Sequence, residues 1–307
     1  MALTSPPVSR LTARVVHKGA TRARGYLALT KPRIVEQLLI TTVPTMFAAR
    51  RGLPSVALMV ATVAGGALVA GGANALNMVA DRDIDRLMHR TRRRPLVTGE
   101  ISPGAAAVFA LALELVGFGE LWSTVNPLSA VLALSATLFY VLVYTLWLKR
   151  NSKQNIVIGG AAGAVPVLVG WAAVTGKVGW PALLLFAIIF LWTPPHFWAL
   201  AVRYREDYRA VNVPMLPAVT TLAKTAHQIF GYSVALFATS LAFAYVGHMG
   251  VFYITAATVL GGVFISYAVG FWREQSASSA MALFRYSIVY LTLLFVAVMA
   301  DVLIRYH

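Results

Sequence analysis

The stretch from Val56 to Val79 contains no charged residue and is long enough to cross the hydrocarbon core of a bilayer as one helix. Comparable runs recur at about 35–49, 55–79, 104–123, 127–148, 154–176, 180–202, 226–246, 250–271 and 285–304. They predict an all-α, polytopic membrane protein of about nine transmembrane helices, arranged as two four-helix halves plus a ninth helix around a central cavity. With 59% of its 307 residues hydrophobic and 12% charged, the chain has no polar segment large enough to fold alone. It contains no cysteine, which removes disulfides, thiolate metal sites and thioether-linked haem.

A formal net charge of +15 raises the question of nucleic acid, and the distribution of the charge answers it. With the N-terminus in the cytoplasm and nine spans, 22 of the 26 Lys and Arg residues fall on the cytoplasmic side, leaving Arg50, Arg51, Lys177 and Arg305 outside. That is the positive-inside bias of a membrane protein, and it implies no nucleic-acid partner. Residues 1–33 are basic, acid-free and without an apolar signal core, so they are expected to be a cytoplasmic basic tail ahead of a single membrane domain, 34–307. The expected location is the inner (plasma) membrane of a bacterial cell; an Arg-rich leader of this kind also suits import into the mitochondrial inner membrane.

The acids are concentrated where the second run ends. Asn74, Asn77, Asp81 and Asp85 fall on one face of a helix, with Asp83 pointing elsewhere. Asn77, Asp81 and Asp85 make an oxygen ligand set for a hard cation, and magnesium is commonly held by one or two carboxylates together with substrate phosphate oxygens. The plainer reading is a solvated helix end paired with Arg82, Arg86 and Arg90, but two asparagines inside an apolar span do not fit it. Arg90 and Arg94 follow four apart, and guanidinium groups suit a diphosphate. Lys149, five residues after Tyr144, ends the fourth run at the same depth and is placed to neutralise a leaving diphosphate.

The second unusual segment is Leu191-Trp192-Thr193-Pro194-Pro195-His196-Phe197-Trp198. Two prolines here are expected to break the sixth helix where it lines a cavity, and His196 is a candidate ligand for iron, a proton or an anion. Trp192, Phe197 and Trp198 suit an apolar planar or isoprenoid ligand as well as a core, and Glu206-Asp207 are candidates for a second metal. A faint repeat links the two regions: Asn74 precedes Asp85, and His196 precedes Asp207, by the same interval, each pair followed by Pro95-Leu96 or Pro214-Met215-Leu216. Paired glycines at 65–66, 71–72 and 159–160 predict close helix packing of the second and fifth spans. Glu36 with Arg33 and Asp301 with Arg305 read as helix-end pairs, and Glu114 has no evident partner.

The run Asn74 to Met88, with Arg90-Thr91 and Arg94 to Gly99, resembles the N-x-x-x-D-x-x-x-D region of the UbiA superfamily of intramembrane prenyltransferases. Asn155 to Gly160, Trp192 to Trp198, Asp207-Tyr208 and Val213 to Pro217 look like the branch that farnesylates haem. The resemblance covers nearly the whole chain after Leu27. It implies magnesium-assisted transfer from farnesyl diphosphate to haem b, with Asn77, Asp81, Asp85, Arg90, Arg94 and Lys149 catalytic and Asn74, Tyr144, His196, Trp198 and Asp207 binding substrate. A haem A synthase or a cytochrome oxidase assembly partner is then the expected recipient of the product. The superfamily's second D-x-x-x-D pair is departed from, since Arg203 stands four before Asp207 and His196 stands where other branches place an acid. A prenyltransferase with an aromatic acceptor shares the first motif. A transporter, the rival from another class, would place its acids near mid-bilayer rather than at one face.

Overall fold

The computed structural model describes residues 22–306. Among them, residues 22–30 are helical and nine longer helices follow. These are α1 (Pro32–Arg50), α2 (Val56–Ala80), α3 (Pro103–Glu120, continued by a π-turn over Leu121–Val125), and α4 (Pro127–Leu138, continued as π-helix over Phe139–Leu148 and closed by Lys149–Asn151). Then come α5 (Asn155–Thr175), α6 (Trp180–Arg203), α7 (Leu222–Val246), α8 (Val251–Glu274) and α9 (Ala277–Tyr306). The all-α expectation holds, but eight helices among the described residues, not nine, are long and apolar enough to span a membrane. The helix left out is α1, whose first turns carry Arg33, Glu36 and Gln37 and whose middle carries Thr41, Thr42 and Thr45. It is nonetheless embedded, packing on α2, α5 and α9 with the three threonines buried.

Local chemistry sets the helix boundaries. Ser55, Ser102, Asn126 and Thr221 accept the first free backbone N–H groups of α2, α3, α4 and α7. Pro103, Pro127 and Pro181 occupy first-turn positions where a missing N–H is harmless. Asp301 is not mainly a partner for Arg305, which stands 4.0 Å away. It is buried and accepts from the Gly250 and Tyr253 amides at 2.7 and 3.1 Å, capping the N-terminus of α8. Glu36 is exposed, and the side chain of Arg33 lies outside the described residues. Glu114 does find a partner, the Thr137 hydroxyl, which donates to its Oε1 at 3.0 Å.

The repeat is visible in three dimensions. α2 packs on α3 as α6 packs on α7. Each of those pairs is joined through a six-residue helix, Arg82–Leu87 or Arg205–Ala210, and then a four-residue helix, Pro95–Thr98 or Leu216–Val219. An arginine Nε closes each connection by donating to a backbone carbonyl, Arg82 to Leu96 at 3.0 Å and Arg209 to Ala218 at 2.9 Å. The prolines of α6 do not interrupt it. The helix runs through Pro194 and Pro195, with the Thr193 hydroxyl donating to the Ile189 carbonyl at 2.8 Å in the turn where the ladder loses donors.

Spans α2 and α3 meet backbone to backbone. A Cβ on Gly72 would stand 2.8 Å from the Ala110 carbonyl oxygen, and one on Gly117 would stand 2.9 Å from the Gly65 carbonyl oxygen. Lipid gives two apolar helices little reason to associate, so this close approach supplies the contact. Gly117→Val is expected to lower stability by about 1–3 kcal/mol in thermal unfolding of the detergent-solubilised protein. Gly66→Ala, which meets nothing within 4 Å, is expected to leave the transition unchanged.

Candidate active site

The site is built where α2 gives out. Asp81 N still bonds to Asn77 O at 2.9 Å, and Asp85 N, already in the next short helix, bonds to Asp81 O at 2.9 Å. The expected single helical stripe is therefore two helices meeting at Asp81, with the four-residue spacing kept across the bend. Asn74, Asn77, Asp81 and Asp85 are all buried, whereas the Asp83 side chain is 62% exposed. Arg150 grips Asp83 with two nitrogens at 2.7 and 2.8 Å and donates to the Ala80 carbonyl at 3.0 Å. That bidentate hold brings the Asp83 carboxyl down to about 2.

Three cations enter from three different elements. Lys149, at the end of α4, donates to Asp81 Oδ2. Arg94, in the turn beyond the short helix, donates to Asp85 Oδ2 at 2.6 Å. Lys31, between the 22–30 helix and α1, donates to Asn77 Oδ1 at 3.0 Å. Desolvation first, then the Arg94 and Lys149 charges, pull the Lys31 ammonium down to about 7, against the raising pull of Asp81 and Asp85. Asn77 turns its Nδ2 toward Asp81 Oδ2 at 2.8 Å and Thr145 Oγ1 at 3.1 Å. Asn74 donates to the Thr30 carbonyl at 3.3 Å.

The wall opposite these acids is the π-helical part of α4. Thr145 donates to the carbonyl of Tyr140, five residues back, at 2.8 Å, which is the wider register of a π-turn. Tyr140 and Tyr144 stack at 5.5 Å with rings 11° apart, within electrostatic reach of Asp81. Tyr144 fits because α5 has glycine there: a Cβ on Gly159 would lie 2.2 Å from its ring. Across the mouth, exposed Arg90 sits over the Tyr204 ring, 5.8 Å from its centroid. The loops of the two halves thus touch at this end.

The donor set suits a divalent ion that brings its own further ligands. Asp81 Oδ1 is buried without a hydrogen-bond partner, which is the chemistry of an oxygen directed at a cation. Among the described residues no three His, Asp or Glu side chains gather closely enough to hold a metal by themselves. A metal here would take two carboxylates and one amide oxygen from the protein, with water and phosphate oxygens left to supply the rest.

The second half presents a different surface. His196, seven residues or about 10 Å of helix rise inside the end of α6, is buried and stacks on Trp192 at 4.2 Å. Its Nδ1 pairs with the Ser287 hydroxyl of α9 at 2.6 Å, and Phe284 lies 4.7 Å from its ring. Trp198 is not on this surface. It is fully enclosed and packs edge-on against Tyr232 of α7, because residues two apart on a helix point nearly opposite ways. Glu206 pairs with Arg205 and Arg209 and gives no second carboxylate to Asp207, which is half-buried. Sequence reasoning missed Lys31, Thr145 and Tyr140. The first looks like one more topological lysine, and the other two depend on a π register that apolar periodicity does not report.

Known proteins share this architecture. The UbiA prenyltransferase family matches residues 38–296. The protoheme IX farnesyltransferase of Paenarthrobacter aurescens (strain TC1) is 48% identical over 306 residues, covering 98% of this chain and 96% of that one. A solved digeranylgeranylglyceryl phosphate synthase superposes with a TM-score of 0.77 over 92% of this chain and 99% of that one, at 18% identity. A UbiA homologue from Archaeoglobus fulgidus bound to GPP and Mg2+ superposes with a TM-score of 0.62 over 90% and 99%, also at 18% identity. At such identities the two structures establish the fold.

Thr145→Val keeps the shape but deletes both hydrogen bonds of the hydroxyl. It is expected to lower thermal stability by about 1–2 kcal/mol, with Thr145→Ser restoring most of the loss.

Proposed function

The chain belongs to the UbiA prenyltransferase family and is a multi-pass membrane prenyltransferase, and on that premise we propose that it transfers the farnesyl group of farnesyl diphosphate to a vinyl group of haem b. The observation that carries this choice of acceptor is the near-full-length similarity to a relative named for that reaction. In the balanced reaction the allylic C–O bond breaks and diphosphate leaves with the electron pair. A C–C bond forms to the terminal vinyl carbon, and water supplies a hydroxyl to the neighbouring carbon and loses a proton, giving haem O.

Asn77, Asp81 and Asp85 would hold magnesium, which when bound supplies positive charge to the departing diphosphate. Arg90, Arg94 and Lys149 bring further positive charge to the same oxygens, from positions already fixed by Tyr204, Asp85 and Asp81. The stacked Tyr140 and Tyr144 close the apolar side, keeping water from the farnesyl carbon as its bond to oxygen lengthens. His196 positions haem: with Nδ1 engaged by Ser287, its other nitrogen faces iron or a propionate, and Trp192 and Phe284 offer flat apolar surface to the macrocycle. Asn74 and Asp207 border the two substrates, and residues 34–307 act as one domain in the plasma membrane with the acidic end cytoplasmic.

Mass spectrometry of haem extracted from cells with and without the protein is expected to show a farnesylated, hydrated species only in its presence. Asp81→Ala is expected to abolish product while the protein still inserts in membranes, and near-normal turnover would reject the role given to that carboxylate. His196→Ala is expected to weaken haem binding more than prenyl diphosphate binding; the reverse order would reassign the residue.

A further inference from the structure

Each side chain assigned to the metal already carries a nitrogen donor. Lys31 occupies Asn77 Oδ1, the one atom of that amide able to ligate a cation. Lys149 and Asn77 Nδ2 share Asp81 Oδ2, and Arg94 holds Asp85 Oδ2. Lys149 and Arg94 are bound to carboxylates, as ion pairs require, whereas Lys31 is bound to a neutral amide. It reaches that amide from a left-handed backbone, φ 51°, directly before Pro32, a conformation that is sterically disfavoured for a residue with a Cβ. Its neighbour Thr30 accepts from Asn74, so two consecutive residues at the junction of the 22–30 helix and α1 hold both asparagines of α2. Strained backbone kept in place by its surroundings is a feature of sites where position matters.

We propose that Lys31 is a positioning residue that occupies Asn77 until diphosphate arrives and then transfers to the diphosphate oxygens, so that metal and diphosphate bind as a pair. The proposal rests on the metal–diphosphate reading given above. A divalent ion arriving alone meets two carboxylates already faced by three nitrogen donors and cannot use Asn77 Oδ1 while Lys31 is on it. Diphosphate offers those nitrogens new acceptors and frees the oxygens for the metal. The two ligands therefore help each other, and by linkage the help is mutual.

The test measures Mn2+ binding, by the electron spin resonance of free Mn2+, and binding of labelled inorganic pyrophosphate to the detergent-solubilised full chain at pH 6.5. In the wild type, saturating pyrophosphate is expected to tighten Mn2+ binding by at least about tenfold. Lys31→Met is expected to tighten Mn2+ binding without pyrophosphate by on the order of fivefold, and to weaken pyrophosphate binding at saturating Mn2+ by a similar factor. A damaged fold would weaken both, so the gain in one ligand and loss in the other is the signature. Unchanged or weaker binding of Mn2+ alone by Lys31→Met, with wild-type binding that is lost in Asp81→Asn, overturns this inference and leaves the proposed function standing. Failure of the wild type to bind either probe overturns both.

Discussion

The carboxylate of Asp81 is the joint on which this structure turns. It stands where α2 ends, fully buried, and is tied at once to Asn77 on its own helix and to Lys149 at the end of α4. A buried acid without partners would neutralise or pull its helix toward water. Here the pairing instead fixes where α2 stops and how α4 lies beside it. Through Asn77 the same group is connected to Thr145 in the π-helical part of α4 and to Lys31 ahead of α1, so three parts of the fold take their relative positions from one helix end. Removing one partner of such a cluster would leave other buried charges uncompensated, and its stability is therefore that of a network rather than of separate pairs.

Scaffold and site meet different demands in the same helices. Lipid gives no hydrophobic drive between spans, so α2 and α3 close through bare glycine backbone at Gly65, Gly72 and Gly117. One or two turns further along the same α2, the small residues give way to Asn74, Asn77 and Asp81. The tight contact below the site thus limits how far α2 can shift when charge is added above it. Gly159 plays a related part on α5, where the missing Cβ makes room for Tyr144 beside the acids.

Much of the helical frame was legible in the sequence because charge brackets the apolar runs; α2, α5 and α6 begin and end within a few residues of where charge density predicts. α9 starts at Ala277 rather than near 285, since a run of Ala and Ser ahead of Arg285 carries little apolar signal although it is helical. The prolines of α6 point to a break, but a packed membrane helix can keep its course through Pro194 and Pro195, here with the Thr193 hydroxyl on the Ile189 carbonyl in the turn just before them. The acidic stripe was readable from spacing alone, while Lys31 was not, because nothing in a Lys-Pro pair reveals a contact 46 residues away. Trp198 illustrates the reverse error. An aromatic two positions from a candidate ligand suggests a shared pocket, yet the helical turn sends it into the α6–α7 packing.

The two halves repeat the same scaffold and have diverged in chemistry. Span, six-residue helix, four-residue helix and returning span occur in both, each connection closed by an arginine on a backbone carbonyl. In the first half the buried polar positions are amides and carboxylates facing cations. In the second, the position corresponding to Asn74 is His196, enclosed by Trp192 and Phe284 and held by Ser287. In the proposed reaction a charged leaving group and a flat, largely apolar acceptor need opposite surroundings, one polar and rich in countercharge, the other dry and aromatic. Duplicating one frame and changing its side chains provides both at the same end of the bundle, with Arg90 of the first loop resting on Tyr204 of the second. On the proposed reaction, that contact ties the loop that handles diphosphate to the helix that carries the haem-facing histidine.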